Sequence, residues 1–502
     1  MHRNRWARRI AIGLILGFVL SIVAFFYGRY STRRDGNERL VSVVAHLDET
    51  DPRWRLDDIE ADRKSLNDDQ NSALLVPRFK AALAQKEFML VRSALTREGV
   101  FVGIPPNLVL DDEGVAAIDA AMQGYDAALA IARSFKDYPY GRTRFTITPD
   151  VIGILLPHLQ WTQQVCCLLD AEAERLCRDG RPGAAVELVR AMLNAARSID
   201  GEAFLISSQI RYWCDSTAVG RVERIFGLTS PKGGLAEVQA MLLAEADADC
   251  FWPAVRFERG ALNLLFTNLQ NGVLPPGFAS VVSRSGAALT RPDSKDYVSE
   301  WVYSPHMPGD QATYLETVTR TLEVRKLPDH QQRAALKAVA LPPKEPGSMY
   351  ASLLTPRIYE LHDTSLRTRA ALRCAAAAVA AERFRLRNGR WPNALDEIPR
   401  DILVAVPLDP FNGQPLKYVR RADGVTIYSV GLNEQDDGGN VTKVPPTEVG
   451  VDIGFRLYDP AERGLAPIPR PALASERPNL DLEPDLDRAI EFGPAPREVK
   501  DR

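Results

Sequence analysis

The sequence predicts a mainly α protein. It has a single amino-terminal transmembrane helix, a body built as an α-helical bundle or hairpin stack, and a small α+β module near the carboxyl end. Three observations lead there. Ile10 to Gly28 is an unbroken apolar run of nineteen residues with no charge. From Asp150 to Gly227 apolar residues recur at helical spacing, interrupted only by Arg178-Asp179-Gly180-Arg181-Pro182-Gly183 and Asp200-Gly201. Beyond residue 365 an Ala-rich stretch is followed by two short alternating runs joined at Asp423-Gly424.

The bulk numbers fit a folded chain of several domains. There are 502 residues, 45% of them apolar and 25% charged, enough to bury a substantial core. The formal net charge of -3 gives no general attraction for nucleic acid, and no basic patch interleaved with aromatics is present. Cys166, Cys167, Cys177, Cys214, Cys250 and Cys374 form no CxxC pair, which argues against a zinc knuckle or a thioredoxin-type motif. They read as small buried hydrophobes. A bridge from Cys177 to Cys166 or Cys167 would need Cα atoms within about 7 Å.

At a rise of about 1.5 Å per residue the apolar run spans roughly 28 Å, close to a hydrocarbon core of about 30 Å. An uncleaved anchor and a cleaved signal peptide compete here. The run is long for a signal, and no small-x-small site follows it, which favours the anchor. Arg3, Arg5, Arg8 and Arg9 precede the span, while Arg29, Arg33, Arg34 and Arg39 follow it, so flanking charge is nearly balanced. Large following domains translocate largely regardless of charge. The expected topology is therefore a short cytoplasmic amino end (1–9), one pass of the inner membrane (10–28) and an extracytoplasmic body. Gly13 and Gly17 form a GxxxG, a spacing at which two spans approach closely.

The membrane-proximal region (29–145) reads as helices. A short one covers Asn37–Leu47. A turn with a charged helix start follows at Asp51-Pro52, with Pro52 at the first helical position. Two more are expected over Asn71–Ala94 and Asp112–Phe135. In the α-helical domain (146–350), Thr148-Pro149-Asp150 is a start signal. Helix, Gly-turn, helix, Gly-turn, helix then argues for antiparallel neighbours, as a tetratricopeptide-type stack or a plain bundle. Gly260 to Pro346 is less periodic, with helices over Asp310–Leu327 and Asp329–Val339. Residues 459–502 are rich in Pro and acid, and the composition predicts a disordered tail.

The module at 365–458 reads from its residues first. The small side chains of Ala375–Ala381 let a helix pack closely. Asp423-Gly424 between Leu416–Val419 and Val425–Tyr428 is a hairpin signal. Leu416, Tyr418, Val425 and Ile427 should alternate toward the helix, with Phe455 and Leu457 on a third strand. The order of the Ala-rich helix, Asn388-Gly389-Arg390-Trp391-Pro392, Pro407-Leu408-Asp409-Pro410-Phe411-Asn412-Gly413-Gln414-Pro415-Leu416 and Ile427-Tyr428-Ser429-Val430-Gly431 resembles the globular part of the major pseudopilins of type II secretion. That resemblance implies calcium ligands in the loop after the strand, at Leu432, Asp436, Asp437 and Asp452. Calcium takes six to eight hard oxygens, which a Gly-rich acidic loop can supply. The loop is no EF-hand, because Val444 stands at the bidentate Glu position. Two departures separate the chain from that family. The span lies far upstream of the module's helix, and no prepilin-peptidase site is present. In layout and in Asp51-Pro52-Arg53-Trp54-Arg55-Leu56, the whole chain resembles a group of membrane-anchored proteins of planctomycete bacteria, a group that brings no activity with it.

No reaction is legible. His2, His46, His158, His306, His330 and His362 form no HxxxH pair, and GxSxG, Walker and GxGxxG motifs are missing; Ser283-Arg284-Ser285-Gly286 lacks the leading glycine. His158 reads as a core residue. Arg256, Glu258 and Arg259 read as a structural ion cluster, with an anion site as the sharper alternative. Gln209, Arg211 and Asp215 should satisfy one another or face water. The leading expectation is a membrane-anchored binding or structural protein of the cell envelope, with the lipid bilayer and an envelope protein as partners. A membrane-tethered hydrolase and a pseudopilin-like secretion component are the alternatives.

Overall fold

The computed structural model describes residues 2–63, 65–83, 104–151, 153–154, 156–199, 202, 204–274, 301–343, 347–441 and 451–467. It is mainly helical, with one small sheet. Helix α1 runs without a break from His2–Thr50, so the separate helix expected at Asn37–Leu47 is part of its second half. Its apolar part is exposed, and it is the one described helix long and apolar enough to cross a membrane. The second half packs on α11 (Met307–Glu323). A Cβ on Gly36 would lie 2.8 Å from the Gly309 nitrogen, so the two backbones meet at a pair of glycines. Arg39 reinforces the crossing, donating to Glu316 at 3.0 Å and to Thr313 at 3.0 Å.

Several boundaries shift from the expected ones. Pro52 lies in a turn with Arg53 at φ 69°, and α2 (Leu56–Asp62) starts later. Asn71 lies between two 3-10 turns, Asp68–Gln70 and Ser72–Leu74, ahead of α3 (Leu75–Ala82), and residues 84–94 of the expected helix lie outside the described residues. The helix expected over Asp112–Phe135 splits at Gly124 into α4 (Asp112–Met122) and α5 (Asp126–Ser134). Asp150 closes a local turn instead of capping a helix, accepting from the Gly153 nitrogen at 2.8 Å. Pro157, suited to a first helical position, begins α6 (Pro157–Arg178). Helices α6, α7 (Pro182–Arg197) and α8 (Leu205–Leu228) pack in succession, with the first Gly-turn between α6 and α7, while Asp200-Gly201 lies outside the described residues. Then come α9 (Leu235–Asp247), α10 (Phe251–Gln270), α12 (Asp329–Ala338) and the long α13 (Met349–Asn388). Gly260, expected to open an irregular region, sits inside α10, and Ser283-Arg284-Ser285-Gly286 lies outside the described residues.

The sheet has the order β1 (Lys417–Arg421), β2 (Gly424–Ser429), β3 (Ile453–Tyr458), all antiparallel. Arg421 pairs with Gly424, so the turn residues are Ala422 and Asp423, neither at positive φ. Gly424 is needed for another reason. At φ 155° it begins β2 where a Cβ would come within 1.9 Å of the Leu457 carbonyl on β3. Val425, Ile427, Phe455 and Leu457 are buried and face α13, which crosses β2 and β3.

Packing divides the molecule differently from the sequence. One core joins α3–α9, the Ala-rich half of α13 and the sheet, so the module shares its interior with the helical body. A second core joins Leu47, α2, α10, α11, α12 and the first half of α13. The expected disordered tail begins too early at 459. Arg463 is buried against Glu382, and Leu465 pairs with Asn107 and Val109, so residues 459–467 are ordered. Residues 468–502 lie outside the described residues. All six cysteines are free, and only Cys250 is partly exposed.

Candidate functional site

A cavity of about 350 Å³ opens between α2, the start of α8 and the start of α10. Three breaks in the chain build it. The link before α8 brings Glu202, the segment before α10 brings Asp249 and Cys250, and the end of α2 brings Ile59 and Arg63. Arg211 comes from α8 and Arg256 from α10, and Arg325, on the 3-10 turn after α11, reaches its rim.

The two carboxylates sit in unlike surroundings. Glu202 is fully buried; one oxygen accepts from Ser207 Oγ at 2.9 Å, and the other lies 2.6 Å from His158 Nε2. The contact with His158 is close but poorly aimed, since both atoms lack a well-formed hydrogen bond. Asp249, just before the Cys250 N-cap of α10, accepts from the Trp252 nitrogen of its first turn at 3.1 Å. Burial pushes its pKa up, and the charges of Arg369 and Arg325 only partly oppose that. The guanidinium groups are largely committed at their outer ends. Arg63 pairs with Glu60 at 2.7 Å, Arg211 with Glu245 at 2.6 Å and Arg256 with Asp51 at 3.0 Å. The Cys250 thiol donates to the Tyr212 hydroxyl at 3.3 Å. Such a cavity, apolar on Ile59, Ile199 and Trp252 and lined with both charge signs, is chemically suited to a small ligand carrying hydrogen-bonding groups.

The residues expected to matter fall partly here. Arg256 and Arg259 both pair with Asp51, an acid from outside the expected cluster of Arg256, Glu258 and Arg259, and Arg256 also lines the cavity. Burial alone would raise the Asp51 pKa, but the two guanidinium groups outweigh it and hold it low. Arg211 binds Glu245, which Arg197 shares. His158 stands against a carboxylate and not in an apolar core. Glu202, Asp249 and Arg63 were not singled out by sequence. Each lies near a helix end with no motif around it, and only folding brings the three together.

The four residues implied as calcium ligands each have partners within the chain. The Leu432 carbonyl accepts from Arg333 at 2.8 Å, and Asp436 accepts from the Tyr428 hydroxyl at 3.0 Å and pairs with Lys417 at 3.0 Å. Asp437 accepts from the Asn433 amide at 2.8 Å. Asp452, fully buried, accepts from the nitrogens of Gly439 at 2.7 Å and Asp437 at 3.3 Å. Two of the chain's own cations therefore hold donors that calcium would need. Among the described residues no cluster of three or more His, Cys, Asp or Glu is placed to hold a metal.

No protein family, curated protein or solved structure matches the chain.

Proposed function

We propose that the chain is a membrane-anchored binding or structural protein of the cell envelope, passing once through the inner membrane with its body on the extracytoplasmic side. One observation carries this reading. Helix α1 is exposed along its apolar first half and docked on α11 along its second, so span and body share one continuous helix. A signal peptide that is removed has no reason to continue into a packed helix. The test of topology is a fusion of alkaline phosphatase after Arg39. An active fusion supports an extracytoplasmic body; an expressed but inactive one overturns that placement.

A membrane-tethered hydrolase is the second reading, favoured by the cavity that Glu202 and Asp249 both line. A buried acid beside a second carboxylate is a common arrangement for proton transfer. Glu202→Gln and Asp249→Asn would each abolish any hydrolysis found by substrate screening while leaving the fold intact; retained activity in both removes this reading. A pseudopilin-like role draws on the crossing of α13 over an antiparallel sheet. Co-purification with pseudopilins is its test.

A further inference from the structure

Where α1 leaves its apolar run, the body presents a corner at residues 301–304, just before α11. Arg29, one position past the run, donates to the Trp301 carbonyl at 2.7 Å and to Ser304 Oγ at 3.3 Å. Its guanidinium also lies 3.9 Å from the centre of the Trp301 ring. Phe25, inside the run, meets the same ring at a centroid distance of 5.9 Å. The corner is thus fixed at the height of the last turn of the span. Yet Trp301 stays 50% exposed and Val302 55% exposed. Among the described residues, nothing covers that free surface on either side chain. Tyr27 and Tyr30 on α1 are exposed at the same level.

Tryptophan and tyrosine collect at the boundary between hydrocarbon and water, where an apolar ring and a polar edge both find partners. Arginine there keeps its charge among headgroups. From this geometry we infer that the body makes a second contact with the bilayer: Trp301 and Val302 seat in the headgroup–acyl boundary beside α1. The inference rests on the reading that α1 spans the membrane. It adds that the body lies against the bilayer surface instead of standing clear of it. The Gly36–Gly309 crossing and the Arg39–Glu316 pair hold the corner at that height.

The test uses the full chain in lipid nanodiscs of phosphatidylcholine brominated either near the carbonyl end or near the middle of the acyl chain. Bromine quenches tryptophan only on contact. Subtracting Trp301→Phe emission from the parent isolates the Trp301 signal, and Leu20→Trp reports the span itself. The expected result is loss of the Trp301 signal mainly with shallow bromine and loss of the Leu20→Trp signal mainly with mid-chain bromine. Val302→Trp, a second reporter, should follow Trp301. If the Leu20→Trp signal is quenched while Trp301 and Val302→Trp are untouched, or quenched more by mid-chain bromine, the second contact is overturned and the anchor stands. If Leu20→Trp is not quenched, the anchor fails and the second contact with it.

Discussion

Replacing Glu382 with glutamine should loosen the chain end from the body, and the size of the effect can be worked from the contacts. Glu382, on the Ala-rich half of α13, is fully buried. Its two oxygens accept four charged hydrogen bonds, from Arg385 at 2.9 and 2.7 Å and from Arg463 at 2.9 and 2.9 Å. Arg463 also donates to the carbonyls of Tyr458 and Thr229, each at 2.8 Å, so it joins β3, α8 and α13. Removing one partner of a buried pair typically costs about 3–5 kcal/mol. Glutamine keeps one acceptor and Arg463 keeps its carbonyls, which places the loss at the low end, about 3 kcal/mol. That is roughly a hundredfold in the opening equilibrium. Urea unfolding at pH 7 measures the global part, and amide exchange over 459–467 measures the local part.

The pH dependence gives a sharper check. Burial alone would raise the pKa of Glu382, but Arg385 and Arg463 more than compensate and hold it below its ordinary value near 4.5. A carboxylate with a depressed folded pKa contributes stability above the unfolded value and loses it as pH falls through the folded one. The gap between wild type and Glu382→Gln should therefore be full at neutral pH and shrink below about pH 4.5. A gap under about 1 kcal/mol at pH 7, or one that does not change with acid, would refute a buried charged cluster.

Three other predictions concern separate parts of the molecule. Gly36→Ala should weaken docking of α1 on α11 by about 1–3 kcal/mol, because the new methyl meets the Gly309 backbone at 2.8 Å; Gly28→Ala, with nothing within 4 Å, is the matched control, and faster amide exchange over 309–313 in the first variant alone is the readout. His362 is buried and its pKa pushed down to about 4, first by burial. A neutral buried histidine must charge on unfolding, so stability should fall by about 3 kcal/mol as pH drops from about 6.5 to 4, and His362→Gln should flatten that slope in acid-unfolding curves. Millimolar calcium should leave the melting temperature of the full chain unchanged, since Lys417 and Arg333 hold the loop's donors; a bound ion at a hundred times its dissociation constant would add about 2.7 kcal/mol, and a rise of that size would mean that the loop rearranges.

Local chemistry was legible, and long-range sharing was not. The Gly-turn at Gly180 marked the hairpin of α6 and α7, and the spacing of Val425 and Ile427 marked a strand that shares a core with α13. Both signals depend on neighbours along the chain. Asp423-Gly424 pointed to the right hairpin for an incomplete reason: the glycine is required by Leu457 on β3, far along the chain, and not by the turn. Arg463 shows the same limit. In a Pro-rich acidic stretch its composition predicts disorder, and only the buried carboxylate of Glu382 on a distant helix makes ordering favourable. The cavity was invisible because Glu202, Asp249 and Arg63 are brought together by tertiary packing alone.

The continuity of α1 has a mechanical consequence for any function at the membrane. Sharp bends in helices arise at proline, at glycine or serine pairs, or where a side chain breaks the backbone ladder. Between Arg29 and Thr50, a stretch of roughly 30 Å, the only such residue apart from isolated serines is Gly36, and the backbone of Gly309 pins it. The link between span and body is therefore a strut and not a hinge. Its far end carries Leu47 into the second core and reaches Asp51, which holds Arg256 at the cavity wall. The same helix that meets the Trp301 corner through Arg29 thus leads, without a flexible joint, to Asp51 and one wall of the cavity.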